Sequence, residues 1–400
     1  MMNSKVSLKN KNTPQHPPDK EGKRIDRSLL SVRAAAICLV ILTHVSAQWL
    51  DSSLRTGGIS LYVSHLCSIL SFAGVALFVM LSGAIYLSSD RRPKSTSLRL
   101  IAGKSLRFFA IYLFWKLFYF AEDLLLNPLQ ENGSSPITAV KDKFLLAMFR
   151  SNGKYHLWYL PMLCFLLLLV PLIYEGAQQL PACLMYLFVY FTAAILLPTA
   201  FLFEFPFKYL LMDFRNLFDL GHFLGYLGYF LLGHVLYELA HRRSFPLSRR
   251  YLTAAVWFCT LVSSFIALRT EAAESLAAGT TDSSFATPFV LNTCLLSIAL
   301  FMTICRPKNP KHPLVTAPEV QTQESAIASL FRKGLNSLAG SSFGIYLVHP
   351  FVLDLVQKTG LLNDSVNSVL GIPLLWILLL AASWLLSAAL HRIPLIRRLL

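Results

Sequence analysis

The feature that most constrains this chain is a series of apolar stretches, several of which run to about 20 residues with few charges. A helix needs about 20 apolar residues to cross the hydrocarbon core of a bilayer. The sequence therefore predicts an all-α, polytopic membrane protein rather than a β-barrel, whose strands would be short and alternating. Ten spans are predicted, at residues 29–50, 66–88, 105–127, 156–174, 182–203, 219–239, 251–269, 287–305, 340–357 and 368–389.

The charge distribution predicts how these spans are oriented. Only 14% of the residues are charged, against about 25% in an average soluble domain. The net charge of +15 follows the bias of Lys and Arg toward cytoplasmic loops and does not require nucleic acid. Of the 36 lysines and arginines, 25 fall in the predicted cytoplasmic pieces and 9 in the outer connections. The cytoplasmic pieces are residues 1–28, 89–107, 175–181, 240–250, 306–339 and 390–400.

Two domains follow from this division. Residues 1–28 are expected to be a disordered, basic cytoplasmic tail, and residues 29–400 a transmembrane domain of about ten helices with both termini in the cytoplasm. The seven cysteines lie in or beside apolar stretches, and no C-x-x-C pair occurs, so neither a metal site nor a disulfide is expected.

Arg33 is an informative charge, because a cation within a span costs several kcal/mol unless it reaches the interface or a partner. His44 follows eleven residues later in the same predicted helix. Eleven steps of about 100° return to nearly the starting direction, which places both side chains on one face about 16 Å apart. An arginine can bind phosphate or carboxylate, and a neutral histidine can accept a proton from a hydroxyl group. The alternative is an interfacial arginine and a structural histidine.

Further polar residues interrupt the predicted spans. The fourth span opens with His156, Trp158 and Tyr159, where an interfacial aromatic belt is the simplest explanation. In the ninth span Ser342, Tyr346 and His349 are spaced four and three apart and form one polar ridge. Such a ridge serves hydrogen bonding between helices about as often as a binding site. The patch at 81–84, Leu-Ser-Gly-Ala, predicts close helix approach and includes Ser82.

The predicted cytoplasmic loop 90–107 is the most basic stretch after the N-terminal tail. The positive-inside bias explains it first, anionic lipid headgroups second, and a phosphate-rich cytoplasmic ligand third. No P-loop, G-x-G-x-x-G or H-E-x-x-H motif occurs. The candidate ligand-binding residues in this stretch are Arg91, Arg92, Arg99, Lys104 and Arg107.

In this order, the motifs resemble the membrane acyltransferase 3 family. The family shows Arg, ten residues and His in the first helix, as from Arg33 to His44. The segment 75–83 resembles its V-x-L-F-x-x-x-S-G pattern, 156–159 resembles H-L-W-[FY], and 342–349 resembles S-x-G-I-Y-x-x-H. The chain departs at Leu30, where the family usually has Asp.

The resemblance implies a multi-pass protein of a bacterial inner membrane that moves an acetyl group from cytoplasmic acetyl-CoA to a hydroxyl group outside. The acceptor would be an envelope glycan or a lipid-linked sugar, with no bound cofactor and no nucleic acid partner. His44 is expected to act as the base or as a transient acyl carrier, and Arg33 to bind the donor. The residues Ser82, His156, Trp158, Tyr159, Ser342, Tyr346 and His349 are expected to line the acceptor site or pocket.

Two alternative functions belong to other classes. A transporter of a lipid-linked sugar or small solute would also keep polar residues in its spans, although no inverted halves are visible. A non-catalytic membrane sensor is the second alternative, and the intact pair of Arg33 and His44 counts against it. The sequence leaves the acceptor and the acyl chain length open.

Overall fold

A computed structural model describes most of the transmembrane part of the chain. The described residues are 27–88, 97–126, 136–145, 147–148, 154–205, 208, 221–241, 248–305, 326–359, 367–394 and 397. The predicted tail at 1–28 therefore lies almost wholly outside them. Within these residues the protein is helical and contains no strand.

The helices are numbered in chain order. The first half contains α1 Arg27–Ser46, α2 Leu50–Thr56, α3 Gly58–Ser71, α4 Ala73–Tyr86, α5 Leu98–Leu126, α6 Pro136–Leu145 and α7 Tyr159–Ala177. The second half contains α8 Leu180–Tyr190, a π-helical segment Phe191–Leu196, α9 Leu197–Ala200, α10 Gly221–His241, α11 Arg249–Ala278, α12 Leu291–Ile304, α13 Ala326–Lys358 and α14 Ser368–Leu390.

Among the described residues, seven helices are long and apolar enough to cross a membrane by length and composition. They are Ser28–Ser46, Gly58–Tyr86, Tyr159–Ala177, Leu180–Ala200, Arg249–Ala278, Arg332–Lys358 and Ser368–Leu390. The other three predicted spans coincide with α5, α10 and α12, which are not among the seven. The prediction of a multi-helix membrane protein is confirmed, whereas ten spans and cytoplasmic termini stay predictions.

Several predicted boundaries were wrong, because polar residues did not end the helices. The second span begins at Gly58 rather than at 66, since its serines are satisfied within the helix, as where Ser64 Oγ donates to the Ser60 carbonyl at 2.9 Å. Residues 98–107 were predicted as part of a loop but form the first turns of α5. The seventh and ninth spans are likewise longer than predicted, as α11 and α13 show.

Helices α4 and α10 cross with their backbones in contact. A Cβ atom added at Gly83 would lie 1.7 Å from the Phe230 carbonyl oxygen, and one added at Gly233 would lie 2.0 Å from that of Met80. Only glycine permits this approach, because any side chain would collide with the facing backbone. The close approach predicted at the small-residue patch is thus present in the structure.

A buried ion pair joins α3 to α11. His65 Nδ1 lies 3.0 Å from Glu271 Oε2, and both side chains are completely buried. The second carboxylate oxygen accepts the backbone N–H of Phe285 at 2.7 Å, and His65 Nε2 lies 3.4 Å from Ser275 Oγ. Every nitrogen and oxygen of this pair therefore has a partner, which is what a buried charge requires. Glu271 and Ser275 lie in the part of α11 beyond the predicted span. Their contacts with His65 explain why the helix continues there.

Candidate functional site

A cavity of about 630 Å³ lies between α1, α4, α5, α13 and the segment that leads into α7. Arg33 and His44 both line it, as do Lys104 and Arg107 of α5. The eleven-residue spacing accounts for this, since it puts both α1 side chains on the face that borders the cavity. The cavity thus has an Arg33 end and a His44 end, about 16 Å apart along α1.

The Arg33 end is cationic. Arg33 is partly buried, its electrostatic neighbours are Tyr86 and Tyr159, and it has no ion-pair partner among the described residues. The Lys104 ammonium lies 4.8 Å from the centre of the Tyr86 ring, in a cation–π contact. Arg107 joins Arg33 and Lys104 on the cavity wall. Three cations around one opening favour a ligand with phosphate or carboxylate groups.

The remaining basic candidates do not share this position. Arg99 lies on the first turn of α5, is exposed and is not part of the cavity wall. Arg91 and Arg92 fall outside the described residues. The structure therefore brings two of the five predicted basic residues, Lys104 and Arg107, to the same cavity as Arg33.

The His44 end contains three histidine rings in a row. The ring of His44 is stacked on that of His349, with centroids 5.0 Å apart, and His349 lies 5.3 Å from His156. His44 is partly exposed and its ring makes no hydrogen bond with the residues that the structure describes, whereas the other two histidines are fully buried. The ring of Tyr155 lies 4.6 Å from His44 on its other side. His44 and His156 both border the cavity, and His44 is the more exposed of the two.

The local sequence of α13 fixes the orientation of His349. Pro350 lies inside this helix and has no N–H group, so the Tyr346 carbonyl, four residues earlier, lacks its helical donor. His349 Nδ1 lies 2.7 Å from that carbonyl oxygen and replaces the missing donor. Because Nδ1 then carries the proton, Nε2 is left as an acceptor in the neutral ring, and it has no partner among the described residues.

Tyrosine side chains hold the segment around His156 against α13. The phenol of Tyr346 donates to the His156 carbonyl, and the phenol of Tyr119 donates to the Leu347 carbonyl at 2.6 Å. The ring of His156 lies between these tyrosines, 5.3 Å from Tyr119 and 5.2 Å from Tyr346. Its two nitrogens are buried and make no hydrogen bond with the described residues. Buried polar atoms usually have a hydrogen-bond partner, so the two unpaired nitrogens beside the cavity make His156 a candidate for contact with a ligand.

The other predicted lining residues also border the cavity. These are Ser82, Trp158, Tyr159, Ser342 and Tyr346. Ser82 Oγ donates to the Phe78 carbonyl of its own helix at 2.9 Å, and the Trp158 ring packs 5.4 Å from that of Tyr226. His349 is the one predicted residue of this group that does not line the cavity, because it lies behind His44.

An ionic cluster beside the His44 end was missed by the sequence analysis. Lys154 pairs with Asp354, its Nζ is 3.9 Å from Glu122 Oε2, and it lies 5.7 Å from the centre of the Tyr119 ring. We call Lys154, Asp354 and Glu122 the Lys154 cluster. A signal was present in the sequence, since Glu122 and Asp354 are acids within predicted spans, where ionisable residues usually mark a site.

The site thus combines an anion-binding end with an end that can accept a proton. No group of three or more metal-ligating side chains occurs among the described residues. The family model described as an acyltransferase domain matches residues 26–392 of the chain. No curated protein and no solved structure gives a significant match.

Proposed function

The chain belongs to the acyltransferase domain family, and on that basis we propose that it is an O-acetyltransferase of a bacterial inner membrane. It would take acetyl from acetyl-CoA on the cytoplasmic side and transfer it to a hydroxyl group of an envelope glycan or a lipid-linked sugar outside. The observation that carries the proposal is a single cavity bordered by Arg33 and His44. The proposed acceptors include glycans such as enterobacterial common antigen, whose O-acetyltransferase has a similar order of motifs.

The Arg33 end suits the donor. Coenzyme A carries several phosphates, and guanidinium groups bind phosphate oxygens through paired hydrogen bonds. Arg33, Lys104 and Arg107 would hold these phosphates, while the aromatic and aliphatic wall that includes Phe78, Ile85 and Phe108 would contact the pantetheine arm. With the donor bound in this way, its thioester would extend toward His44.

The His44 end suits the chemical step. In this proposal a neutral His44 accepts the proton of the acceptor hydroxyl as its oxygen attacks the thioester carbonyl. The carbon–sulfur bond then breaks, the coenzyme A thiolate takes the proton from His44, and the products are an acetate ester and free coenzyme A. In the alternative route His44 attacks first and carries the acetyl group before the acceptor takes it.

Orientation follows from the same two ends. Basic residues accumulate on the cytoplasmic side of membrane proteins, and this bias supports a proposed orientation with the Arg33 end inside and the His44 end outside. The acceptor can then reach His44 without the donor leaving the cytoplasm. Solute movement with no acyl transfer is the behaviour of a transporter, which the family membership does not support.

The experiment uses the full-length protein in liposomes, with radiolabelled acetyl-CoA supplied on one side. We expect protein-dependent consumption of acetyl-CoA and release of coenzyme A. Arg33→Lys should raise the KM for acetyl-CoA about tenfold, since an ammonium group keeps the charge but loses the paired contact to phosphate. Arg250→Lys is the matched control, because Arg250 is exposed and outside the cavity wall. No protein-dependent consumption of acetyl-CoA contradicts the acetyltransferase proposal, and an unchanged KM in Arg33→Lys contradicts the donor site.

A further inference from the structure

The charges of the Lys154 cluster suit the binding of neutral polar groups. It combines two carboxyl groups with one ammonium group, so it offers no excess of positive charge to an anion. The Lys154 and Asp354 side chains keep 22% and 20% of their surface exposed, so the pair can be reached by a ligand. This cluster lies outside the cavity wall and differs in charge from the Arg33 end of the cavity, where Arg33, Lys104 and Arg107 gather.

Glu122 adds an unfilled acceptor to the cluster. The Glu122 side chain, on α5, keeps only 5% of its surface exposed. Its Oε1 atom accepts no hydrogen bond from the described residues. A buried carboxyl oxygen normally has a donor, because leaving one unsatisfied costs about 1–3 kcal/mol or more. The Glu122 carboxyl group also interacts with that of Asp354, and a bound hydroxyl group can donate to the oxygen that has no partner.

Tyr155 connects this cluster to His44. Its side chain is 45% exposed, and its ring lies 4.6 Å from that of His44 and 5.8 Å from that of His156. Partial burial, and then the Asp354 and Glu122 carboxylates, raise the pKa of the Tyr155 phenol. It therefore stays a hydrogen-bond donor at neutral pH and offers a flat apolar face beside the base.

We propose that Tyr155 and the Lys154 cluster form the acceptor subsite, and that it takes a neutral sugar ring. The C–H face of the sugar packs on the Tyr155 ring, and neighbouring hydroxyl groups donate to Asp354 and Glu122 while Lys154 donates to a sugar oxygen. A further hydroxyl of the same ring then faces His44. This assignment rests on the proposed acetyltransferase function and adds the class of acceptor to it.

The charge of the site defines which sugars it selects. A uronic acid or a sugar phosphate would bring a negative charge to two carboxyl groups that already share one lysine, and like charges repel strongly when partly buried. A neutral sugar meets acceptors and donors that match its hydroxyl groups. We therefore expect acetylation of methyl glucoside or N-acetylglucosamine and little acetylation of glucuronic acid.

The test measures acetyl transfer to these three soluble sugars by full-length protein in liposomes. Asp354→Asn should raise the KM for the neutral sugars about tenfold and leave the KM for acetyl-CoA within about twofold, since losing one charge-assisted hydrogen bond costs about 1.4 kcal/mol or more. Tyr155→Leu should have a similar effect, and Tyr155→Phe a smaller one because it keeps the ring. Glu204→Gln is the matched control, since Glu204 pairs with Lys208 on an exposed surface.

The outcomes separate the two proposals. If acetyl-CoA is not consumed at all, the acetyltransferase proposal fails, and the acceptor subsite with it. If acetyl-CoA is consumed but glucuronic acid is acetylated as well as the neutral sugars, or no sugar is acetylated, the neutral-sugar subsite is wrong. The subsite is also wrong if Tyr155→Leu leaves the KM for the sugars unchanged. Tyr155 is exposed, so that variant is informative even if Asp354→Asn does not fold.

Discussion

His65 and the three histidines at the His44 end differ in their hydrogen bonding. At His65 both ring nitrogens have partners, Glu271 at 3.0 Å and Ser275 at 3.4 Å, and all three side chains are buried. Around His44 the ring of His349 stacks on that of His44 and meets that of His156 edge to face, yet the Nε2 of His349 and both nitrogens of His156 have no hydrogen-bond partner among the described residues.

The difference favours a structural role at His65 and supports the chemical role that we propose for His44. A Ser–His–Glu arrangement resembles a hydrolytic triad, but the group at His65 is sealed from solvent and joins α3 to α11. Its atoms are satisfied, so it stabilises the fold. The group at His44 borders a cavity and keeps nitrogens free for a substrate, which is what a base requires. Hydrogen-bond satisfaction, rather than the kind of residue, distinguishes the two.

The largest effect expected from this comparison is on turnover. His44→Ala should lower acetyl transfer about 10²–10⁴-fold, the usual contribution of a general base. Its thermal stability should change little, because the His44 ring makes no hydrogen bond with the described residues. The measurement combines coenzyme A release in liposomes with the Tm in detergent. Turnover near that of the wild type would remove His44 from the mechanism.

The converse experiment acts on the other group. His65→Ala leaves the Glu271 carboxyl buried without its partner, and breaking a buried pair in this way costs about 3–5 kcal/mol. We expect a marked fall in Tm, while the remaining folded protein keeps the wild-type KM for acetyl-CoA. Ser275→Ala should lower stability less, by about 1 kcal/mol, because it removes a neutral hydrogen bond. Loss of turnover at an unchanged Tm in His65→Ala would contradict the structural role of His65.

The smallest effect concerns the orientation of His349. Pro350→Ala supplies a backbone N–H group that can donate to the Tyr346 carbonyl in place of His349 Nδ1. The proton of His349 is then no longer fixed on Nδ1. A several-fold fall in kcat is expected. The Tm should be unchanged or raised, because the substitution removes a proline from the interior of a helix. Nitrogen NMR of labelled histidine reports the tautomer directly. A change of tautomer with no change in kcat would show that His349 only packs against His44.

The sequence predicted the parts of the site that lie on one helix. The spacing of Arg33 and His44 is a property of α1 alone, and helical geometry is enough to place both on one face. The Ser342, Tyr346 and His349 ridge is equally local to α13. Family resemblance predicted the acyltransferase class, which the family match confirms.

The rest depends on which helices are neighbours. Lys154 meets Glu122 and Asp354 across long stretches of chain, so no local pattern places these three together. Charged residues also shifted a predicted boundary, because the third span is predicted to begin at 105 whereas α5 begins at Leu98 and carries Lys104 toward the cavity. A charge disfavours lipid, but it does not disfavour helix when the side chain faces a polar cavity.

The close approach of Gly83 to Phe230 and of Gly233 to Met80 also limits how the protein can move. Helices usually slide by letting side chains change rotamer, and here no side chain lies between the two backbones. Helices α4 and α10 are therefore expected to move as one rigid body. Because α4 forms one wall of the cavity, that wall is a fixed reference, and any opening needed to admit the proposed donor must come from the other walls, which are α1, α5, α13 and the segment that leads into α7. Crosslinks that tie α4 to α10 should then be harmless, in contrast to crosslinks across the cavity.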